Sequence, residues 1–280
     1  MPSLIAREVI WMMRKKSFKH VFWGMLLWVT FNYVQVLLRY WGTDVSVLPG
    51  GMEFRLASMY DFNWMPLLTE IFPFVLVLPA AFSFLNDEDT GTSVYLKARL
   101  GQGKYYLIRI MTIFCTTFLA FAVPLLLEVL LFLVAFPGGR IGDVSNVSPY
   151  LKGHAYENML FHEVYYFGDV PYAILGAMTW GVTAAILACF AAAVSTWGLK
   201  LKVILFLPAY LLLNGISLLG QAFAIPFDTG YWSYLIYYDA NKKSAAGFLG
   251  VQAVLLILTA LLLFVRIRAN EQRGWPHGES

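Results

Sequence analysis

Charge is what this 280-residue chain has least of. Lys, Arg, Asp and Glu together make up 13% of it, about half the ~25% usual in soluble domains. Cysteine is nearly absent. Cys115 and Cys189 both fall inside apolar runs, which excludes a disulfide framework or a CxxC metal pattern and leaves buried thiols acting as small apolar fillers. The net charge is only +3, and no basic tract interleaves with aromatics, so a nucleic-acid groove is excluded. Catalytic signatures are missing as well: there is no GxSxG, no HExxH and no buried Cys–His pair. His20 is the only histidine near an apolar run, so a haem held by two buried histidines is excluded. A membrane-embedded enzyme is disfavoured.

What is present is apolar mass. Hydrophobic residues make up 59% of the chain and mean hydropathy is +0.65. Concentrated in long runs, this composition marks an all-α, polytopic integral membrane protein. Residues 1–19 come first. Leu4, Ile5, Val9, Ile10, Trp11 and Met12 alternate with Arg7, Glu8, Arg14, Lys15 and Lys16. That pattern predicts an amphipathic helix lying in the headgroup region. It is not a signal peptide, because the apolar run that follows is too long and no small-residue cleavage site closes it.

Six runs are long enough to cross ~30 Å of hydrocarbon, which takes about 20 helical residues. They are 20–41, 65–85, 105–136, 170–197, 203–225 and 248–265, in a transmembrane domain of 20–268 followed by a polar tail, 269–280. Pro124 in the third run predicts a bend or tilt. Pro73 and Pro79 in the second would free backbone carbonyls and allow bending. The fourth is rich in Gly176, Ala177, Gly181, Ala184, Ala185, Ala188, Ala191 and Ala192, which predicts close helix packing.

Orientation follows from Lys and Arg in the flanks. With the N-terminus inside, Arg7, Arg14, Lys15, Lys16, Lys19, Lys97, Arg99, Lys104, Lys200, Lys202, Arg266, Arg268 and Arg273 are inner. Only Arg55, Arg140, Lys152, Lys242 and Lys243 are outer. Arg39 and Arg109 lie within run ends and are not counted. Both termini are therefore expected in the cytoplasm. The outer loops, about 42–64, 137–169 and 226–247, are long and aromatic. The inner loops are 86–104 and 198–202.

Polar residues inside the runs are costly and default to functional hypotheses. Asn32, Gln35 and Arg39 share one face of the first run, and Asn214, Ser217 and Gln221 repeat that spacing in the fifth. Glu70 and Glu128 lie at a depth similar to Arg39. Two readings stand: an outer vestibule or gate lined by these groups, or an Arg–Glu pairing that serves packing alone. For Glu128 packing is the simpler reading. His154, Glu157, His162 and Glu163 cluster in an outer loop, but the gap between Glu157 and His162 fits a zinc site poorly. A hydrated surface helix is the expectation there, and no metal is assigned.

The inner loop carries the most pattern. Asp87, Glu88 and Asp89 precede Gly91 and Thr92. Leu96, Lys97, Ala98, Arg99 and Leu100 form an apolar-basic turn. Gly101 and Gly103 break it, and Lys104, Tyr105, Tyr106 and Arg109 enter the next run. The acids are expected to cap the amino end of a short helix, where the dipole favours them, with Lys97 and Arg99 near its carboxyl end. Gly101 to Lys104 is not a phosphate loop, since Ala98 and Tyr105 stand where Gly and Ser or Thr are required.

This loop, with six runs, an N-terminal interfacial helix and both ends inside, resembles the permeases of the second-type ABC exporter family. The sequence match is confined to about 25 residues. The resemblance implies a coupling helix that docks in a groove of a separate ABC ATPase subunit, through Asp87, Glu88, Asp89, Gly91, Thr92, Leu96, Arg99 and Lys104. It implies a second permease copy or paralogue as partner, and a translocation path that includes Asn32, Gln35, Arg39, Glu70, Asn214, Ser217 and Gln221. No cofactor is expected in this chain, since ATP and Mg would sit on the partner subunit. The location implied is a bacterial cell membrane and the cargo an amphipathic peptide, lipid-like molecule or drug. Alternatives are a non-transporting sensor or immunity-type subunit and, further off, an ion-coupled secondary transporter, which would place acids or broken helices near the midplane.

Overall fold

The structure, a computed structural model, describes residues 2–43, 65–136, 160–165, 167–197, 202–223 and 244–272. Among the described residues every regular element is a helix. In chain order they are α1 (Pro2–Arg14), α2 (Lys16–Arg39), α3 (Met65–Val75), α4 (Ser83–Asp89), α5 (Thr92–Leu100), α6 (Gln102–Ala135), α7 (His162–Tyr165), α8 (Asp169–Ser195), a 3-10 turn at Lys202–Phe206, α9 (Leu207–Ala222) and α10 (Ala245–Gln272). Five stretches are long and apolar enough to cross a membrane: Lys16–Arg39, Gln102–Ala135, Asp169–Ser195, Ile204–Ala222 and Ala245–Ala269. By length and composition, this is a membrane protein.

The second run departs from the continuous helix that its length predicts. Regular α-helix stops at Val75 and resumes at Ser83, with turns through 76–82. Pro79 is the cause. It has no N–H for the carbonyl four residues back, and its ring crowds that carbonyl. Val75 O instead accepts from Leu78 N at 3.1 Å, and Ala80 O from Ser83 N at 3.0 Å. The chain stays coiled through shorter hydrogen-bonded turns. Ser17 Oγ donates to Pro79 O at 3.4 Å, which ties the break to the start of α2. Pro73, by contrast, lies inside α3 without ending it.

The core is the seam between α6 and α8. Ala120, Phe121, Leu125, Ala177, Ala184, Ala188, Ala191 and Ala192 are buried there. Gly181 shows why α8 carries small residues. A Cβ at that position would lie 2.8 Å from Ala122 Cβ and 3.0 Å from Phe118, closer than van der Waals contact permits. Phe72 from α3 reaches this seam edge-on to Phe121 and Trp180, with ring centroids 5.5 and 4.9 Å away. α2 lies against the other side of α6, where Tyr33 meets Phe132 edge-on at 5.3 Å. α10 packs on α8, and Gln252 Nε2 donates to Thr183 Oγ1 at 3.1 Å in a buried crossing.

At 34 residues and 1.5 Å per residue, α6 is about 51 Å long. That exceeds ~30 Å of hydrocarbon by some 20 Å. It runs through Pro124 as one helix. The charges described next lie near its amino end. The His154 and Glu157 positions and most of the outer loops lie outside the described residues. His162 and Glu163 sit on the short α7, half-buried and exposed respectively.

Candidate functional site

The site is the segment from α4 to the first turns of α6. The acids do not cap the helix that was expected of them. Asp87, Glu88 and Asp89 close α4 at its carboxyl end, where the dipole disfavours negative charge. α5 begins afresh at Thr92, with Gly91 before it and no acid in its first turn. Two features cause this. Thr90 Oγ1 donates to Asn86 O at 2.8 Å and meets Thr92 Oγ1 at 2.8 Å. Gly91 then takes the left-handed conformation, φ +68°, which an L side chain adopts only at a cost. The other end of α5 also closes on a positive-φ glycine, Gly101 at +82°. The result is a nine-residue helix bracketed by two sharp turns. Lys97 and Arg99 do lie in its last turn, as expected.

Asp87 faces inward, not toward a soluble partner. It is 5% exposed and accepts three hydrogen bonds. Arg109 Nε donates at 2.7 Å and Arg109 Nη2 at 2.9 Å, a two-pronged pairing, and Tyr105 Oη donates at 2.8 Å. The third arm of the guanidinium, Nη1, reaches Glu8 Oε2 at 2.8 Å. One buried arginine on α6 thus joins the N-terminal helix to the inner loop. Such bidentate, charge-assisted bonds are among the strongest a protein makes. The pairing also offsets the unfavourable position of Asp87 at a helix carboxyl end.

Cations border this cluster. Lys15 is half-buried, with its ammonium 3.7 Å from the Trp11 ring centroid. Burial pulls its pKa below the ordinary lysine value and Arg109 adds to the effect, while Asp87 and Glu8 oppose it. Lys97 lies 5.5 Å from the centroids of both Tyr105 and Tyr106. Burial lowers its pKa too, with Glu88 opposing and Arg266 of α10 reinforcing.

The outward face of α5 differs from the residue set the sequence suggests. Leu96 turns inward and packs on the core. Glu88, Asp89, Gly91, Thr92, Arg99 and Lys104 are exposed, and Arg99 Nη1 approaches Tyr95 Oη at 3.5 Å. The exposed apolar pair is Val94 and Tyr95, at 58% and 63%. Sequence reasoning passed over both. Their signal was available in the helical period, since Val94 falls opposite Leu96 and Tyr95 opposite Lys97 on one helix.

The residues of the second set, those of the expected vestibule, differ in burial. Glu128 is wholly buried on α6, while Arg39 and Glu70 are exposed. Asn32 is buried at the α2–α6 side and Gln35 is half-buried. On α9, Asn214 Nδ2 donates to Tyr210 O of its own helix at 2.9 Å. Ser217 is half-buried and Gln221 exposed. The placement of Glu128 suits packing better than a gate.

Sequence reasoning placed Arg109 in the pattern that enters the next run but gave it no partner, and gave Glu8 no role beyond the polarity of the first helix. An ionisable group inside a span already calls for a partner. Among the described residues no three His, Cys, Asp or Glu side chains gather in a metal-holding group. Comparison with protein-family models finds no match, and neither curated proteins nor solved structures yield one.

Proposed function

We propose that this chain is the six-span permease subunit of an ATP-driven ABC exporter in a cell membrane, with both ends in the cytoplasm. On this reading 65–89, broken at Pro79, supplies the remaining crossing. The helix α5 couples the chain to a separate ATPase subunit, and a second permease copy or paralogue completes the path. The observation that carries the proposal is the build of α5. It is a short helix bracketed by left-handed glycines, with an exposed Val94–Tyr95–Arg99 face. The segment just before it is held to the bundle by the Asp87–Arg109–Glu8 cluster. A peg fixed at its base and apolar at its tip suits the transmission of a push from a soluble protein. The docking residues become Glu88, Asp89, Val94, Tyr95, Arg99 and Lys104, with Asp87 and Leu96 moved to the anchor.

The test is co-purification from the native membrane. An ATPase with a complete nucleotide-binding signature should come down with the chain and be lost from the Tyr95→Ala/Arg99→Ala double variant, while Glu70→Ala leaves it in place. Retention of that ATPase by the double variant, or its absence throughout, counts against the coupling role. The break at 76–82 favours one second reading, ion-coupled transport. Cargo movement in sealed vesicles that persists without ATP and stops with a protonophore would favour that alternative.

A further inference from the structure

A groove of about 280 Å³ lies between α2 and the second run, lined by His20, Gly24, Trp28, Ile71, Val75 and Leu78, among others. Its walls are apolar, and its polar end is at His20. Three features single it out. Gly24 sits mid-helix, where glycine costs about 1 kcal/mol of helix propensity relative to alanine. A Cβ there would meet nothing within 4 Å, so packing within the chain does not require the glycine. What a side chain would do is narrow the groove. The charge is one-sided as well: His20 lines the groove, Lys16 stands one turn before it on α2 and both are exposed, while the nearest acid in sequence, Glu8, is already engaged by Arg109.

We propose that this groove binds one anionic membrane lipid. An acyl chain lies along Gly24, Val75 and Leu78, and the headgroup rests against His20 and Lys16. Close packing against the apolar walls holds the tail, and the basic end supplies the preference for negative charge. A lipid seated here touches both α2 and the broken segment beside Pro79, so it would brace the least regular part of the fold. The inference rests on the membrane placement of α2 and not on the exporter reading.

The test uses the full chain purified in detergent, with native mass spectrometry against phosphatidylglycerol and phosphatidylcholine of identical acyl chains. The wild type should keep phosphatidylglycerol in preference. Gly24→Leu should lose the bound lipid while eluting as wild type does. The Lys16→Gln variant should keep a lipid but lose the preference, by about fivefold. Should Gly24→Leu fail to elute as a single species, Val75→Phe fills the same groove from the opposite wall. Unchanged phosphatidylglycerol binding in the groove-filled variant overturns the proposal, as does a preference that survives loss of Lys16. Cross-linking through Gly24→Cys that joins two copies overturns it too, by assigning the groove to a second chain. Co-purification of the ATPase is read separately in the same preparations, so failure of one proposal leaves the other standing.

Discussion

Two joints hold this molecule together, and they work by opposite physics. The α6–α8 seam is made by fit. Alanines and Gly181 let two backbones approach until an added methyl would have no room. The joint at the start of α6 is made by charge in an apolar surround: Arg109 bridges Asp87 and Glu8, while Phe84 packs on Tyr105 and Tyr106 beside them. The first can work anywhere in lipid, where water gives no drive and packing must do the work. The second needs a partner for each buried charge, and the two carboxylates supply it to Arg109. Contacts of fit degrade gradually when altered. A charge joint fails abruptly, because losing one partner strands the other.

That contrast orders the expected effects. Asp87→Ala should be the most damaging, since it leaves Arg109 buried without its two-pronged partner. About 3–5 kcal/mol of stability should be lost, read as a drop in thermal midpoint of the detergent-solubilised chain. A midpoint within a degree of wild type would show the cluster to be hydrated and the joint weak. The double change Asp87→Leu/Arg109→Met should recover much of that loss, as buried ion pairs replaced by apolar residues often do. If the fold recovers and ATPase co-purification does not, the charges serve coupling and not stability.

Gly181→Ala tests the other joint and should cost about 1–3 kcal/mol through overpacking against Ala122 and Phe118. The paired variant Gly181→Ala/Phe118→Leu should regain part of it. No recovery would mean that backbone separation, not the Phe118 ring, is limiting. Smaller still is Gln252→Leu, which removes the α8–α10 hydrogen bond. Buried bonds of this kind average about 0.6 kcal/mol in membranes, so the midpoint should move by a degree or two at most. A larger fall would give that crossing a weight comparable to the two joints.

The parts legible from the chain were those set by local composition. Apolar run length falls close to most ends of the long helices among the described residues, since a helix must fill the apolar layer, but α10 runs on to Gln272, past the expected end at 265. The abundance of small residues in α8 pointed to close approach, but not to Ala122 and Phe118 as the atoms approached, which lie about sixty positions earlier. The second run looked continuous because hydropathy does not register a missing N–H. Pro79 signalled a bend, and the observed outcome is a change of hydrogen-bond pattern across seven residues. In the candidate site, the short helix and its basic end could be read. The anchor could not, because Arg109 lies 101 positions after Glu8 and 22 after Asp87 and no periodicity links them.

The Glu8–Arg109 contact has a bearing on how the protein is made. The residue that engages Glu8 is translated 101 positions later, about 5–20 s at ordinary rates of synthesis. Until then α1 lacks the ion pair that links it to α6. The helix α1 is thus secured only when α6 emerges, and a bulky group attached to α1 would be felt at that moment of assembly.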